Sequence, residues 1–508
     1  MPQAATSLRS VALLTVLMLG QMGLQFGFQI LLARQFGTES DMDAFVAALT
    51  LPMVISGILA GALASAFVPV FIATRQRGTE SAAWSMGTQA TCWLFFLTMT
   101  IWQAAKYFAE PWMLILHPRM ADDQVLRTAE LFRILSSLIV WNTLGGLARA
   151  WNHCLGRFAV SGLAGVVGNA ITLAVAWQRS GTGGMESVAQ AVSIGAVVAF
   201  GLQMPWIEIV SRGWSVTPES QAALRRCIVL MLPLLVLLSL TQFDPLLDQY
   251  LTSGSPRSVA QLGYATRLAA AVLTLSTSGL AVVAFPALAR HAAERDDDKL
   301  RAEISAALRF LMLLLVPVVS ALMWFGQPLI RDLLERGRFS SEDTLTVAVT
   351  LMVLCGMIVG GGIGEVAAKV FFSQQNTRTP MIVGLIGFGI GVALKFAWVR
   401  NSGVVGLAAA TSVFYLLNGV TMLGLTAWQL GLGIFRGVLG TLLRTAVGTA
   451  AAVGIGQLVL RTSLPCPSLW GAAAGGIALL AVLLLLRDEV AWRAVRVLFP
   501  SRTQEPTL

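Results

Sequence analysis

Charged and amide side chains inside long apolar windows are where this 508-residue chain can do chemistry. A charge at the centre of a membrane-spanning helix costs about 2.5–3.5 kcal/mol, so it persists only where a cavity or a partner receives it. Arg267 is the foremost such group. Its planar guanidinium presents a rigid fork of donors to phosphate oxygens and stays protonated at any relevant pH; a side chain snorkelling to headgroups is the other reading, since Arg267 lies near the start of its window. Gln21, Gln25 and Gln29 recur at i, i+4 and i+8 on one helical face. Three aligned amides can bond sugar hydroxyls or a diphosphate without adding charge, or can glue neighbouring helices together. Asp244 and Asp248 are also i, i+4, with Pro245 between them. They suit charge compensation of Arg267 across a cavity, or one of them could hold a coupling cation. Glu365 and Lys369 form a further i, i+4 pair with the acid N-terminal, the order that favours mutual neutralisation.

Other chemistries find little support. His117, His153 and His291 are far apart and form no H-x-x-x-H metal pattern, so no metal site is expected. Asp296-Asp297-Asp298 sits among Arg295, Lys299 and Arg301 and reads as a solvated charge cluster. The five cysteines, Cys92, Cys154, Cys227, Cys355 and Cys466, show no C-x-x-C pairing and read as small apolar residues. Gly356, Gly360 and Gly364 form a small-residue stripe suited to close helix packing. No G-x-x-x-x-G-K-[ST] loop exists to hold a nucleotide, so no cofactor and no catalytic constellation are expected, and the chain does not read as an enzyme.

The elements that must position these groups follow from composition. Hydrophobic residues make up 56% of the chain and charged ones 12%, too few charges to cover a soluble protein of this size. About fourteen windows approach the roughly 20 apolar residues that cross a bilayer. They centre near residues 10–32, 44–72, 84–107, 128–150, 159–178, 187–209, 225–250, 259–287, 304–326, 345–371, 380–399, 403–430, 437–460 and 467–486. The expected fold is therefore an all-α polytopic membrane protein. Arg9 precedes the first window, but no small-x-small cleavage site ends it, and it is read as a span. Basic residues flank the spans mostly on one side, at Arg75, Arg77, Arg149, Arg157, Arg212, Arg225, Arg226, Arg290, Arg378, Arg436, Arg444 and Arg487. That places both termini in the cytoplasm. The net charge of +9 is then accounted for by topology and anionic lipid, without nucleic acid.

The second and eighth windows echo each other. Leu49-Thr50-Leu51, Ser56-Gly57 and Ala66-Phe67-Val68-Pro69 find parallels in Leu273-Thr274-Leu275, Ser278-Gly279 and Ala284-Phe285-Pro286. Two related halves follow: a six-helix bundle over 1–215, a second over 216–432, two more spans within 433–490 and a cytoplasmic tail, 491–508.

Ala33-Arg34-Gln35-Phe36-Gly37, Asp43-Ala44-Phe45, Leu51-Pro52 and Ala66-Phe67-Val68-Pro69 together resemble the opening signature of the MurJ/MviN family, within the superfamily that also holds multidrug exporters. Four further segments match in order: Trp151-Asn152 with Arg157-Phe158 and Asn169; Tyr264-Ala265-Thr266-Arg267-Leu268; Leu334-Glu335-Arg336-Gly337-Arg338-Phe339; and Phe371-Phe372-Ser373 with Asn376-Thr377-Arg378-Thr379-Pro380. The resemblance implies a flippase for a lipid-linked cell-wall precursor, in the bacterial inner membrane, working by alternating access. It places Arg267 in a central cavity holding a lipid diphosphate, and it sets Asp43 at a span mouth, as a structural cap or a substrate contact. The arginines usual in the first two spans fall on Met22, Phe28 and Ser56, which leaves the three glutamines and Ser56 to line that part of the cavity. A less cationic first half keeps open a flippase for an exopolysaccharide or O-antigen unit. A cation-coupled multidrug exporter stands further off. The expected partners are the lipid-linked glycan and membrane lipids, with a monomer as the working unit. Membrane potential or a coupling monovalent cation would supply the drive, since an exiting anion gains about 2.3 kcal/mol per charge per 100 mV.

Overall fold

Apolar runs of this length can satisfy every backbone N–H and C=O inside a bilayer only as helices, and among the described residues the chain has no strand. A computed structural model describes residues 8–77, 80–179, 183–206, 209, 216–294, 296–374, 376–461 and 467–485. Arg212, Arg295, Cys466, Arg487 and the expected tail lie outside the described residues, as do the side chains of 278–287 that enter the repeat.

Two compact units divide the chain, residues 1–260 and 261–508. The first contains α1 (Leu8–Phe36), α2 (Ser40–Arg77), α3 (Glu80–Tyr107), α4 (Ala109–Leu116), α5 (Asp122–Leu135), α6 (Leu138–Cys154), α7 (Phe158–Gln178), α8 (Gly184–Gln203), α9 (Pro218–Gln242) and α10 (Asp244–Thr252). Two expected spans are broken. The window 128–150 is split between α5 and α6 at Ser136–Ser137, where the Ser136 hydroxyl turns back to the Arg133 carbonyl at 3.0 Å. The window 225–250 ends at Phe243, and Asp244 opens α10 with Pro245 in its first turn, where the missing N–H has no helical partner to lose.

The core of the first unit is aromatic. Trp151 of α6, fully buried, lies 5.3 and 5.1 Å from the rings of Phe67 and Phe71 of α2 and 4.9 Å from Trp84 of α3. Two segments of the sequence signature thus meet here. Gly87 makes the approach of α3 feasible, because a Cβ there would fall 2.2 Å from the Trp151 ring. Asp43, 3% exposed, accepts from the N–H groups of Arg257 at 2.6 Å and Ala260 at 2.7 Å. Arg257 has φ 66°, a conformation uncommon for a residue with a Cβ, and the carboxylate holds its N–H there.

The second unit contains most of α11 (Ser258–Glu294), then α12 (Asp297–Leu334), α13 (Ser341–Ser373), α14 (Arg378–Leu430), a 3-10 turn (Leu432–Phe435), α15 (Val438–Leu460) and α16 (Pro467–Leu485). Within α14, Gly403 adopts φ 51°, ψ −130° and reverses the chain. Gly387 and Gly391 then face Phe414, and Gly384 faces Asn418, so this one stretch supplies the two antiparallel spans expected at 380–399 and 403–430. The Gly356, Gly360 and Gly364 stripe packs α13 on α14. A Cβ on Gly360 would lie 2.3 Å from the Tyr415 backbone. Tyr264 stacks edge-on against Phe339 at 5.6 Å, joining two more signature segments.

Nine helical stretches among the described residues are long and apolar enough to cross a membrane. With α14 counting twice and shorter apolar helices such as α16 added, the architecture is an all-α polytopic fold, consistent with about fourteen crossings. Its large apolar side chains point outward: Trp428 is 83% exposed and Ile477 73%. Such a surface is stable against lipid, not water.

Candidate functional site

A cavity of about 300 Å³ opens inside the first unit, walled by α2, α6 and α8. Its shape comes from two adjacent glycines. A Cβ on Gly146 would meet that of Ala60 at 2.4 Å, so α6 lies hard against α2, whereas Gly145 has no atom within 4 Å of where its Cβ would stand and leaves open space. Asn142, Gly145 and Arg149 follow at i, i+3 and i+7, one face of α6, and all three line the cavity.

The polar inventory is short. Ser56 on α2 donates to the Met53 carbonyl at 3.1 Å. The Asn142 amide donates to the Met53 sulfur at 3.4 Å, a weak acceptor. Gln203, 4% exposed at the end of α8, donates to the Ala199 carbonyl at 2.9 Å, and its Oε1 has no hydrogen-bond partner among the described residues. Arg149 is the one charged residue of the lining, and no described carboxylate pairs with it. Trp141 and Phe200, 5.9 Å apart, form an aromatic wall. A cation, two amides, a hydroxyl and an aromatic face are suited to an anion carrying hydroxyl groups.

Of the residues singled out from sequence, Ser56 lines this cavity. Gln21 packs on α7, where its Oε1 would stand 2.8 Å from a Cβ on Gly165; Gln25 is exposed and Gln29 half-buried on the same helix. Asp43 is engaged with the backbone of Arg257 and Ala260. Asp244 and Asp248 occupy successive turns of α10 in the first unit; Arg267 lies in the second, half-buried, three residues after Tyr264. Glu365 and Lys369 form their ion pair at 3.0 Å. Asn376 caps α14, accepting from the Thr379 N–H at 3.2 Å and donating to its hydroxyl at 2.9 Å.

Arg149 is the residue that reading along the sequence assigns to a cytoplasmic loop. The helix runs on to Cys154, five residues further, and this carries the guanidinium into the wall. The Asn142/Gly145/Arg149 spacing was the signal that could have found it. Lys395, 1% exposed within α14, is a buried cation that apolar windows conceal.

Comparison with known proteins bears on all of this. The family model described as "Lipid II flippase MurJ" matches residues 32–465. A "Probable lipid II flippase MurJ" of Rhizobium meliloti is 25% identical over 422 residues, covering 80% of this chain and 78% of its own. The "Lipid II flippase MurJ" of Burkholderia cenocepacia is 26% identical over 408 residues, covering 78% of each. Among solved structures, a lipid II flippase MurJ in an inward closed conformation superposes with TM-score 0.77 at 18% identity, over 94% of this chain and all of that one. An inward-facing multidrug transporter of the MATE family, in the MOP superfamily, gives 0.68 at 15% identity, over 81% and 95%.

Proposed function

The chain belongs to the MurJ family of lipid II flippases, and from that membership we propose that it carries a polyprenyl-diphosphate-linked cell-wall precursor, lipid II, from the inner to the outer leaflet of the bacterial inner membrane. The headgroup is exposed to the two sides in turn while the polyprenyl tail stays in the bilayer, and both termini are cytoplasmic. The observation that carries the reading is the family match from residue 32 to 465, which runs through both compact units.

The drive follows from charge. A diphosphate near −2 that leaves a negative interior gains roughly 4–5 kcal/mol at 100 mV. Membrane potential alone suffices to bias the direction, with a monovalent cation at Asp244 or Asp248 as the coupled alternative. In the second unit Arg267 offers a guanidinium to the diphosphate, and the paired helices α15 and α16 offer apolar surface to the tail. The chain acts as a monomer on a lipid-linked glycan, and no bond is made or broken.

Complementation tests the proposal. Expressed in bacteria depleted of their essential lipid II flippase, the chain restores growth, and Arg267→Ala at equal abundance does not. Failure of the inserted parent chain to rescue would overturn the lipid II assignment. One observation favours a second cargo: on α2 the wall of the first-unit cavity carries Ser56 where the resemblance expects an arginine, which leaves Arg149 as the single charge of the lining. An exopolysaccharide or O-antigen unit is that cargo, and loss of a surface polymer on deletion identifies it.

A further inference from the structure

Asp343, 2% exposed, lies in the first turn of α13, and its two oxygens have different duties. Oδ2 accepts from the Ser340 N–H at 3.0 Å and from the Ser340 hydroxyl at 2.7 Å, which closes a capping box. Oδ1 accepts from the side-chain amide of Gln261 on α11 at 3.0 Å, and Gln261 is itself 8% exposed. A cap needs only one of these oxygens. The other reaches 82 positions back along the sequence to hold a second helix.

The hold continues along α11. Tyr264 lies edge-on to Phe339 at 5.6 Å, and both rings are buried. Phe339 belongs to the loop 335–340, which is itself fixed: Glu335 accepts from the Thr344 hydroxyl at 2.7 Å, and Gly337 turns the backbone at φ 69°. By the 3.6-residue repeat, Gln261 and Arg267 stand about 120° apart around α11, with Tyr264 midway. Gln261 and Tyr264 therefore fix the rotation of α11 about its own axis just before Arg267. The Tyr264 hydroxyl lies within electrostatic reach of both Asp343 and Arg267. A buried carboxylate–amide bond adds little adhesion over an apolar pair, but it admits one rotation only. Arginine needs such a setting. Its planar fork meets two phosphate oxygens in one orientation, whereas a lysine ammonium is a point charge on a flexible stem.

We infer that Asp343 and Gln261 are positioning residues for Arg267: with the Tyr264–Phe339 contact they set the rotation of α11 at which the guanidinium presents its fork to a diphosphate. This inference rests on the proposed flippase reading, in which Arg267 meets that group.

The test is a double-mutant cycle on the full-length chain in phosphatidylcholine nanodiscs, with polyprenyl diphosphate as the probe. Arg267→Ala weakens binding by about tenfold or more. Gln261→Met removes the amide donor at similar volume and weakens binding about fivefold in the parent chain. In an Arg267→Lys background the same substitution changes affinity by less than about twofold, because a lysine needs no set orientation. A role in stability alone would weaken binding by the same factor in both backgrounds. Phe339→Leu, on the loop and away from the carboxylate, gives the same pattern, so the inference does not depend on the folding of one variant. Equal factors in the two backgrounds, or no effect in either, overturn the inference and leave the flippase reading intact. If Arg267→Ala binds like the parent, Arg267 is not the diphosphate contact and the inference falls. A parent chain that binds no polyprenyl diphosphate removes the flippase reading and the inference together.

Discussion

The Asn152 amide donates to the backbone carbonyl of Gln203 at 2.7 Å, tying a signature residue on α6 to the last residue of α8. A helix leaves its final carbonyls without intrahelical donors, and a buried one needs a side chain to supply them. Asn152 also donates to the Ala148 carbonyl at 2.9 Å, so its amide is held from both sides. The position of the Gln203 side chain in the cavity depends on this anchor.

Asn152→Ala should cost about 1–3 kcal/mol, the penalty for leaving a buried carbonyl unsatisfied. Thermal unfolding of the purified chain measures it.

The glycine stripe of α13 makes a paired prediction. Gly360→Ala drives a Cβ to 2.3 Å from the Tyr415 backbone, an overpacking that costs about 1–3 kcal/mol. Gly364→Ala meets nothing closer than 3.6 Å and should be neutral or stabilising by up to about 1 kcal/mol, the helix-propensity gain. Equal losses of detergent thermostability in both would show that the stripe does not set helix distance.

His117, in the connection between α4 and α5, is fully buried, and neither ring nitrogen has a hydrogen-bond partner among the described residues. Burial pushes its pKa down from 6.5 to about 4. Between those values the unfolded chain binds the proton and the folded chain does not, so stability falls as pH drops from 6.5 toward 4 and levels off below. The full effect is about 3 kcal/mol. Melting temperatures at pH 5 and 7.5 should differ, and His117→Leu should shrink the difference.

Ser56→Arg would add a cation on the wall contributed by α2. It should tighten binding of bare polyprenyl diphosphate about tenfold, or 1.4 kcal/mol, with the gain shrinking at high salt. An unchanged affinity would mean that the anion does not reach Ser56.

Much of the fold is legible in one dimension, because lipid imposes a length and an apolarity that each span must meet. Gly403 as a reversal and Pro245 at a helix start could be anticipated from residue type. The break at Ser136–Ser137 could not, since both residues lie inside an apolar stretch. The candidate site was harder. A window average assigns Arg149 to a flank, because it registers where apolarity ends and not which way the last two turns face. Gln203 carried no sequence signal: its significance lies in the absence of a partner for one oxygen, which depends on how α2, α6 and α8 come together. Asp43 was visible as a signature residue, but its engagement with Arg257 and Ala260 spans more than 200 positions of sequence.

Gly145 and Gly146 divide the future of this protein between them. At Gly146 any side chain collides with Ala60, so the position is closed to drift whatever the cargo. At Gly145 a side chain meets open space inside the cavity, and a single base change there would reshape what fits without disturbing the helix that carries it. A lineage can revise its cargo one methyl group at a time at the first of these neighbours, while the second keeps the architecture constant.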